Sequence, residues 1–411
     1  MKLNNKFLLK NIFQYKNYLN TGHFPAPKIF DGIEIAPYKN NAMASICIST
    51  DFELNWAFRR HSEKVRDLNG SRSRNNIFPI IKLLEEFNIP ITWATVGHLF
   101  LSNCTRGEDG LAHNKMSRPP RNDYWNGDWY KHDPCSNIQK DPLWYAPDLI
   151  EKIVESKVQH EIGTHSFSHI DFSPERSDRD LVAKEIKECI SVMGAFGLRP
   201  KSLVFPHNLT NYSYLDIFSE LGIVAIRHRD KNIRVSYPER TNHGVYKIYE
   251  TMHLRSPDKY HFLDAFIIYL EEAILRHAVH HLWFHTSDPI EIFKNELFKV
   301  LEYISKVEYR NDLWITTMED LACYCEARES LILKTNILPN EIQVSLESSL
   351  NHKRYGIPDI SLVFFKITLP NNILVNINNE IVELKKDNYF KKRNDLVVNV
   401  PSNTTSLDLI F

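Results

Sequence analysis

The stretch MASICISTDFE, residues 43–53, sets the frame for the whole chain. Its first eight residues, 43–50, are a short apolar run that stops at a pair of carboxylates, Asp51 and Glu53. An apolar run of four to eight residues with a turn signal at its end reads as a strand buried on both faces. The same texture recurs at 91–96, 161–164, 202–205, 223–226, 281–284 and 313–316. Amphipathic helical patterns lie between the runs, at 76–88, 147–157, 178–196, 212–221, 260–280 and 290–307, with Asp178 placed to cap the helix that carries Leu181 and Val182. Strand–helix alternation of this kind implies a parallel sheet or a barrel.

Outward from this array the texture changes in three places. Residues 1–42 read as an N-terminal helical lead-in, in which Leu8, Leu9, Ile12, Phe13 and Tyr15 have rough helical spacing, ending in a stretch with Pro25, Pro27 and Pro37. Residues 103–147 break the alternation: they carry five Pro, three Gly and Trp125, Trp129 and Trp144. A loop this long without elements of its own is functional or disordered, and its aromatic content argues against disorder. A substrate lid and a locally packed flap are both compatible with it. Residues 331–411 alternate β-branched and polar residues around the turn-type Asn371-Asn372, Asn378-Asn379 and Asn403, so they read as a small antiparallel, sandwich-like accessory domain. The array in between occupies 43–330.

Composition narrows the class. At roughly 150 residues per domain, 411 residues suggest two to three domains. Lys+Arg of 50 against Asp+Glu of 51 leaves a net charge of -1, without the basic excess of a nucleic-acid clamp. A hydrophobic content of 43% is too high for a disordered chain. With only 13 Gly, neither GxGxxG nor GxxxxGK[ST] occurs, so phosphate-cradling loops are not expected. The N-terminus lacks the apolar core and cleavage site of a secretory signal, and no run approaches the ~20 apolar residues of a membrane span. The six Cys are scattered without CxxC pairing, and Cys323 and Cys325 fall in a helical pattern too close together for a relaxed disulfide; reduced buried thiols in a cytoplasmic protein are expected.

Three clusters fall at the C-terminal ends of expected strands, where active sites sit in parallel α/β architectures. In the first, Asp51 and Glu53 are two apart, so strand periodicity points them the same way, and two like charges need a cation or a shared proton between them. A helix cap or turn accounts for the same residues. In the second, HEIGTHSFSH at 160–169, His165 and His169 are four apart and would share one face of a helical turn as metal ligands. HxxxH alone is weak among 18 His; its placement after a strand, with Gly163 at the turn, is what adds weight. In the third, His285 ends the run HLWFH before Pro289; alone such a His is structural, but beside the other two it supplies a proton donor.

Taken in order, an acidic pair, HxxxH and a strand-end His resemble the polysaccharide deacetylase family with the NodB-homology domain, carbohydrate esterase family four. The resemblance spans about residues 43–327 and includes ITWATVG at 91–97. It implies a distorted (β/α) barrel of about seven strands, here followed by the antiparallel domain. It implies that Asp51 is the general base for the attacking water, that His165 and His169 bind a divalent metal, and that His285 is the general acid. Where the commonest family pattern has its third ligand, this chain has Phe52; Glu53 fits an acid-x-acid variant. LVFPHN at 203–208 replaces an Arg-Pro-Pro-Gly-like stretch, with His207 and Asn208 departing from it and the base-orienting Arg missing. Arg227 and Arg229 are candidates to substitute, or to meet an anionic group of the substrate, although a solvated basic edge explains them as well.

The expected reaction is metal-dependent hydrolysis of an N-acyl, principally N-acetyl, group from an amino sugar, with Zn²⁺ as the favoured ion and Co²⁺ or Ni²⁺ as replacements. Trp125, Trp129, His207, Arg227 and Arg229 are expected to contact substrate. Without a secretion signal, the expected partner is a nucleotide- or lipid-linked N-acetyl sugar used in surface-polysaccharide biosynthesis, with no nucleic acid. Two rival readings are a non-catalytic carbohydrate-binding protein on a degenerate deacetylase domain, and an amidohydrolase for a small non-sugar amide. Metal content separates the first from an enzyme, and the aromatic insertion favours a sugar-sized ligand over the second.

Overall fold

The structure, a computed structural model, describes residues 22–255, 262–306, 312–365, 374–378, 380–382, 389–392 and 395–410. The lead-in positions Leu8 to Tyr15 and the turn at Asn371-Asn372 lie outside these. Two short strands open the described chain, β1 (Ile29–Phe30) and β2 (Ile33–Ile35). The central array follows: β3 (Ala44–Phe52), β4 (Thr92–Thr95), β5 (Glu161–Thr164), β6 (Ser202–Leu203), β7 (Ala225–His228), β8 (Glu239–Arg240), β9 (Tyr246–Tyr249), β10 (Met252–His253), β11 (Val279–His285) and β12 (Leu313–Thr316).

Parallel pairing runs β11-β3-β4-β5-β6-β7-β9, and β10 pairs parallel with β11. Only Glu250 and Thr251 separate β9 from β10, so one kinked strand, 246–253, closes the ring between β7 and β11. The Glu250 N–H donates to the His228 carbonyl on one side, and the Thr251 N–H to the His281 carbonyl on the other. The result is a distorted parallel barrel of β3, β4, β5, β6, β7, the β9–β10 strand and β11. The strand expected at 313–316 is present but is not one of these staves. It pairs with Ala44–Cys47 of β3, while β4 takes Ser49–Phe52 on the same edge. The closing strand 246–253 escaped the sequence reading because its kink splits it into two segments too short to show a period.

Period-two alternation divides each stave between two environments. On β3 the outward set Ile46, Ile48 and Phe52 packs into the main core with the helix Glu63–Phe87, whereas the inward set Cys47, Ser49 and Asp51 lines the barrel. That helix begins at Glu63, well before the expected 76; its first half is largely polar, so no apolar stripe announced it. The inward-facing Cys47, Ala94, Val204, Ala225, Ile248 and Val279 cluster with Met318, Leu321 and Ala322 of the helix Met318–Ser330, which plugs the end of the barrel away from Asp51. Cys47, Cys189, Cys323 and Cys325 are buried free thiols.

Gly163, inside the barrel on β5, is fixed by space: a Cβ there would lie 2.2 Å from Ser202 Oγ and 3.1 Å from the Ser202 carbonyl oxygen. Gly163→Ala is expected to destabilise the fold by about 1–3 kcal/mol through overpacking. Adding Ser202→Ala, which removes the nearer atom, should recover part of the loss, read as urea midpoints at constant m.

Two antiparallel five-stranded sheets complete the described chain. β13 (Leu331–Leu338), β14 (Glu341–Ser348), β20 (Ser406–Ile410), β16 (Leu374–Ile377) and β17 (Glu380–Val382) form one. The other combines β15 (Asp359–Phe364), β19 (Asp395–Pro401) and β18 (Tyr389–Lys392) with β1 and β2. The antiparallel region after 330 therefore recruits Ile29–Ile35 from the lead-in. The buried Arg328 fastens that segment by donating to the Ile35 and Ala26 carbonyls.

Candidate active site

Asp51 and Glu53 reach the C-terminal mouth of the barrel from the end of β3, two residues apart on the inward side. Phe52, between them, turns outward and packs edge-on against Trp93 at 6.3 Å. The departure from the family pattern at Phe52 therefore leaves no gap in the mouth, because Glu53 takes the inward place.

His165 and His169 follow β5. They do not sit on a helical turn: residues 165–170 are irregular, with Ser166 (φ 59°) and His169 (φ 55°) both in the left-handed region. Such conformations cost energy outside glycine and persist only when the surroundings enforce them. Here the His165 N–H donates to the Thr95 carbonyl, the Gly97 N–H to Ser166, and the Ser168 N–H to the buried Glu185 carboxylate. The loop brings His165 Nε2 within 3.1 Å and His169 Nε2 within 2.9 Å of one oxygen, Glu53 Oε1.

This cluster fits a cation. His165 Nδ1 is 2.8 Å from the Val204 carbonyl, which only accepts, so the ring proton belongs on Nδ1. Nε2 then turns a lone pair towards a carboxylate oxygen. A divalent ion satisfies both ring nitrogens and the carboxylate at once, and a carbonyl behind the ligating His is the usual orienting partner. Burial alone would raise the Glu53 carboxyl, but its two imidazole neighbours, His165 and His169, outweigh that and hold it well below the ordinary carboxylate range, the ionised form that can ligate a cation.

Asp51 is gripped separately. Arg227, buried at the end of β7, binds it in bidentate fashion, Nη1 to Oδ1 at 2.7 Å and Nη2 to Oδ2 at 2.8 Å. Nη1 also donates to Ser49 Oγ at 3.1 Å and Nη2 to Asn208 Oδ1 at 3.2 Å, and the guanidinium lies 4.4 Å over the Trp283 ring. Burial pushes the Asp51 carboxyl up, but Arg227, helped by His165 and His285, prevails and holds it below its usual value. Arg227 is therefore committed to Asp51 and is not open to a substrate anion. It supplies Asp51 with the arginine partner that LVFPHN lacks. Asn208, which departs from the family pattern, shares in holding it. Ser49 and His281 (Nε2 to Ser49 Oγ, 2.9 Å) extend the network into the barrel. Their positions, two residues before Asp51 and four before His285 on inward faces, were the signal for both.

His285 ends β11 opposite Asp51, with Nε2 3.8 Å from Asp51 Oδ2 and the side chain 29% exposed to the cleft. Its backbone N–H donates to Asp288 at 3.2 Å, and Asp288 also pairs with Arg255. The cleft itself, about 200 Å³, is lined by Asp51, Glu53, His169, His207, Asn208 and His285, with Arg60, His61 and Arg255 around them.

The remaining expected substrate contacts divide. His207, at φ 60°, stands edge-on to His169 at 4.8 Å and faces the cleft. Trp129 is buried: its Nε1 donates to Ser168 Oγ, it stacks on Trp125 at 4.9 Å, and Arg59 lies 4.3 Å over it. It braces the loop that carries His165 and His169 and, at 3% exposure, reaches only the wall of a small recess beside the cleft. Trp125 is half-buried and shares a small recess with Tyr124, His169 and His207. Arg229 is paired with Glu250 at 3.3 Å and is absent from the cleft lining. The basic residues at the cleft are Arg60 and Arg255, which the sequence did not single out.

The C-terminal mouth of the parallel barrel thus brings together a His-His-carboxylate cluster with the donor set for a cation and an Asp–Arg pair beside it. Residues 69–226 match the family model described as polysaccharide deacetylase, so the resemblance read from the sequence holds across that segment. The segment contains His165, His169, His207 and Asn208; Asp51, Glu53, Arg227 and His285 lie outside it. Among solved structures, a Mycobacterium smegmatis protein assigned as a polysaccharide deacetylase is 14% identical, with 75% of this chain and 96% of that one covered and a TM-score of 0.47. The Xyl-CE4 domain of a multidomain xylanase from the hindgut metagenome of Trinervitermes trinervoides is 12% identical (68% and 89% covered, TM-score 0.35). The peptidoglycan deacetylase PdaC from Bacillus subtilis is 10% identical (69% and 92% covered, TM-score 0.34). No curated protein sequence matches the chain. Among the described residues, no helix is long and apolar enough to cross a membrane.

Proposed function

We propose that this chain hydrolyses the N-acetyl group of an amino sugar within a glycan or glycan precursor. The observation that carries the reading is the convergence of His165 and His169 on Glu53, beside an independently held Asp51 and an accessible His285. A divalent ion held by His165, His169 and Glu53, Zn²⁺ by ligand type, supplies Lewis-acid polarisation of the acyl carbonyl and a more acidic water. Asp51 accepts the proton of the attacking water, its carboxylate kept ionised and correctly turned by Arg227. His285 Nε2, on the adjoining stave, delivers a proton to the departing nitrogen, which is too basic to leave as an anion. Arg60 beside the cleft supports a substrate that carries an anionic group, such as the phosphate of a nucleotide or lipid carrier, whereas Arg255 there is already paired with Asp288.

The test measures acetate release from N-acetylated oligosaccharides and from nucleotide-linked N-acetyl sugars, with parallel metal analysis. Chelation, His165→Ala and His169→Ala are each expected to reduce release to background, with Zn²⁺ restoring only the chelated wild type. Release that survives full chelation overturns the reading. A wild type that binds metal and glycan without releasing acetate points instead to a binding protein on the same domain.

A further inference from the structure

A second cluster of metal-ligating groups lies away from the cleft, where the 103–147 insertion meets the barrel. His98 stands on the turn Gly97–Phe100 just after β4; Cys104, His113 and Asp133 come from the insertion. His98 Nε2 is 3.1 Å from His113 Nε2 and 3.2 Å from Asp133 Oδ2, and His113 Nε2 is 2.8 Å from that same oxygen. Cys104 Sγ is 3.4 Å from Asp133 Oδ2. One donor atom from each of the four residues falls within 4.8 Å of all the others. A tetrahedral ion with bonds of about 2.0–2.3 Å spaces its ligand atoms by about 3.3–3.7 Å, so the cluster is a slightly contracted version of that cage.

The hydrogen bonds around the cluster point the same way. His98 Nδ1 faces the Trp144 carbonyl at 3.3 Å, which puts the ring proton on Nδ1 and aims a bare Nε2 lone pair at the Asp133 carboxylate. The other carboxylate oxygen, Oδ1, is occupied from behind by the Cys135 N–H at 2.9 Å and the Tyr145 hydroxyl at 3.4 Å, leaving Oδ2 turned to the histidines. Outer partners on the ligating His and the ligating carboxylate are what metal centres use to orient their ligands. His98 and Asp133 side chains are fully buried, His113 is 13% exposed, and His113 is held at φ 48°, a left-handed conformation that aims its ring inward.

We propose that His98, Cys104, His113 and Asp133 form a second metal site that takes Zn²⁺ and serves a structural role. Four protein ligands leave no open position, the mark of structural sites, and a thiolate with two imidazoles selects zinc over magnesium, calcium or manganese. The ion staples the insertion to the barrel. From the staple, Arg118 donates to the Ala112 and His113 carbonyls and pairs with Asp128, whose carbonyl accepts the Trp125 indole N–H. The site thus fixes the Trp125–Trp129 wall beside the catalytic mouth. The ligand spacing of 98, 104, 113 and 133 matches no CxxC pattern, which is why the sequence does not announce it.

The test is metal stoichiometry together with cobalt spectroscopy. Wild type purified with zinc is expected to hold two ions per chain, His165→Ala one, and the Cys104→Ser/His113→Ala double variant one. Reconstituted with Co²⁺, wild type and His165→Ala should both show a thiolate-to-metal charge-transfer band in the near ultraviolet, and Cys104→Ser should lack it. His165→Ala leaves the second cluster intact, so its cobalt spectrum decides even if the Cys104 variants do not fold. That band with one ion per wild-type chain supports this site and counts against the catalytic one. Absence of the band from both wild type and His165→Ala overturns the proposal, as does a Cys104–Cys135 disulfide in protein that carries no ion there.

Discussion

Asp51→Asn is expected to lower kcat for acetate release by about 10²–10⁴-fold, the range for loss of a positioned general base. The substitution keeps the shape of the side chain but removes its capacity to take a proton. Metal content should change little, because both imidazoles converge on Glu53 rather than on Asp51, although Asp51 lies close to Glu53 and His285. KM should change little for the same reason. The measurement is a steady-state rate alongside metal per chain, and a variant with full metal and a rate within about threefold of wild type would remove Asp51 from the base role. Some loss of stability is expected with it, since the new amide NH₂ would face one of the Arg227 N–H groups that now meet an acceptor at 2.7 and 2.8 Å.

Arg227→Met is expected to have the largest combined effect. Breaking a buried ion pair from one side leaves the other charge desolvated, at a cost of about 3–5 kcal/mol. In the native protein Asp51 is held below its ordinary value, so the stabilisation from the pair is fully present above about pH 4 and disappears as pH falls through the depressed folded value. Without Arg227, burial dominates and raises the carboxyl. The sign then reverses: the variant loses stability as pH rises through the new, higher value. Because the base must be ionised to act, the acid limb of kcat/KM moves to higher pH in the variant. Urea midpoints from pH 4 to 9 and a pH–rate profile check both parts. An acid limb that stays in place would show that Asp51 does not set it. Arg227→Lys, which keeps the charge but not the two-pronged grip, should fall between the two.

Much of the mouth of the barrel was legible because each part depends on a local period or turn. Asp51 and Glu53 face the same way because strands alternate every two residues, and the Phe52 between them is forced outward. Gly163 is small because β5 and β6 approach closely. The HxxxH pair was legible as a pair, but its geometry was not: Thr95, Gly97 and Glu185 hold the loop in left-handed turns that no helical spacing describes. Arg227 was visible as a basic residue after a strand, yet its role depends on β7 facing β3 across the barrel. Trp129 read as a stacking surface and is a buried brace, because whether an aromatic side chain faces a ligand or Arg59 and Ser168 depends on how the insertion folds back.

The sequence by itself determined the strand–helix alternation, the parallel array and the residues able to do acid, base and metal chemistry, since these follow from short-range periodicity and side-chain type. Only the tertiary structure decided which staves close the ring, which arginine serves Asp51, and that His98 meets Cys104, His113 and Asp133. Ring closure, a bidentate ion pair and a four-ligand cluster each join positions tens to nearly two hundred residues apart, and their energies depend on distances of a few ångströms that no local pattern encodes.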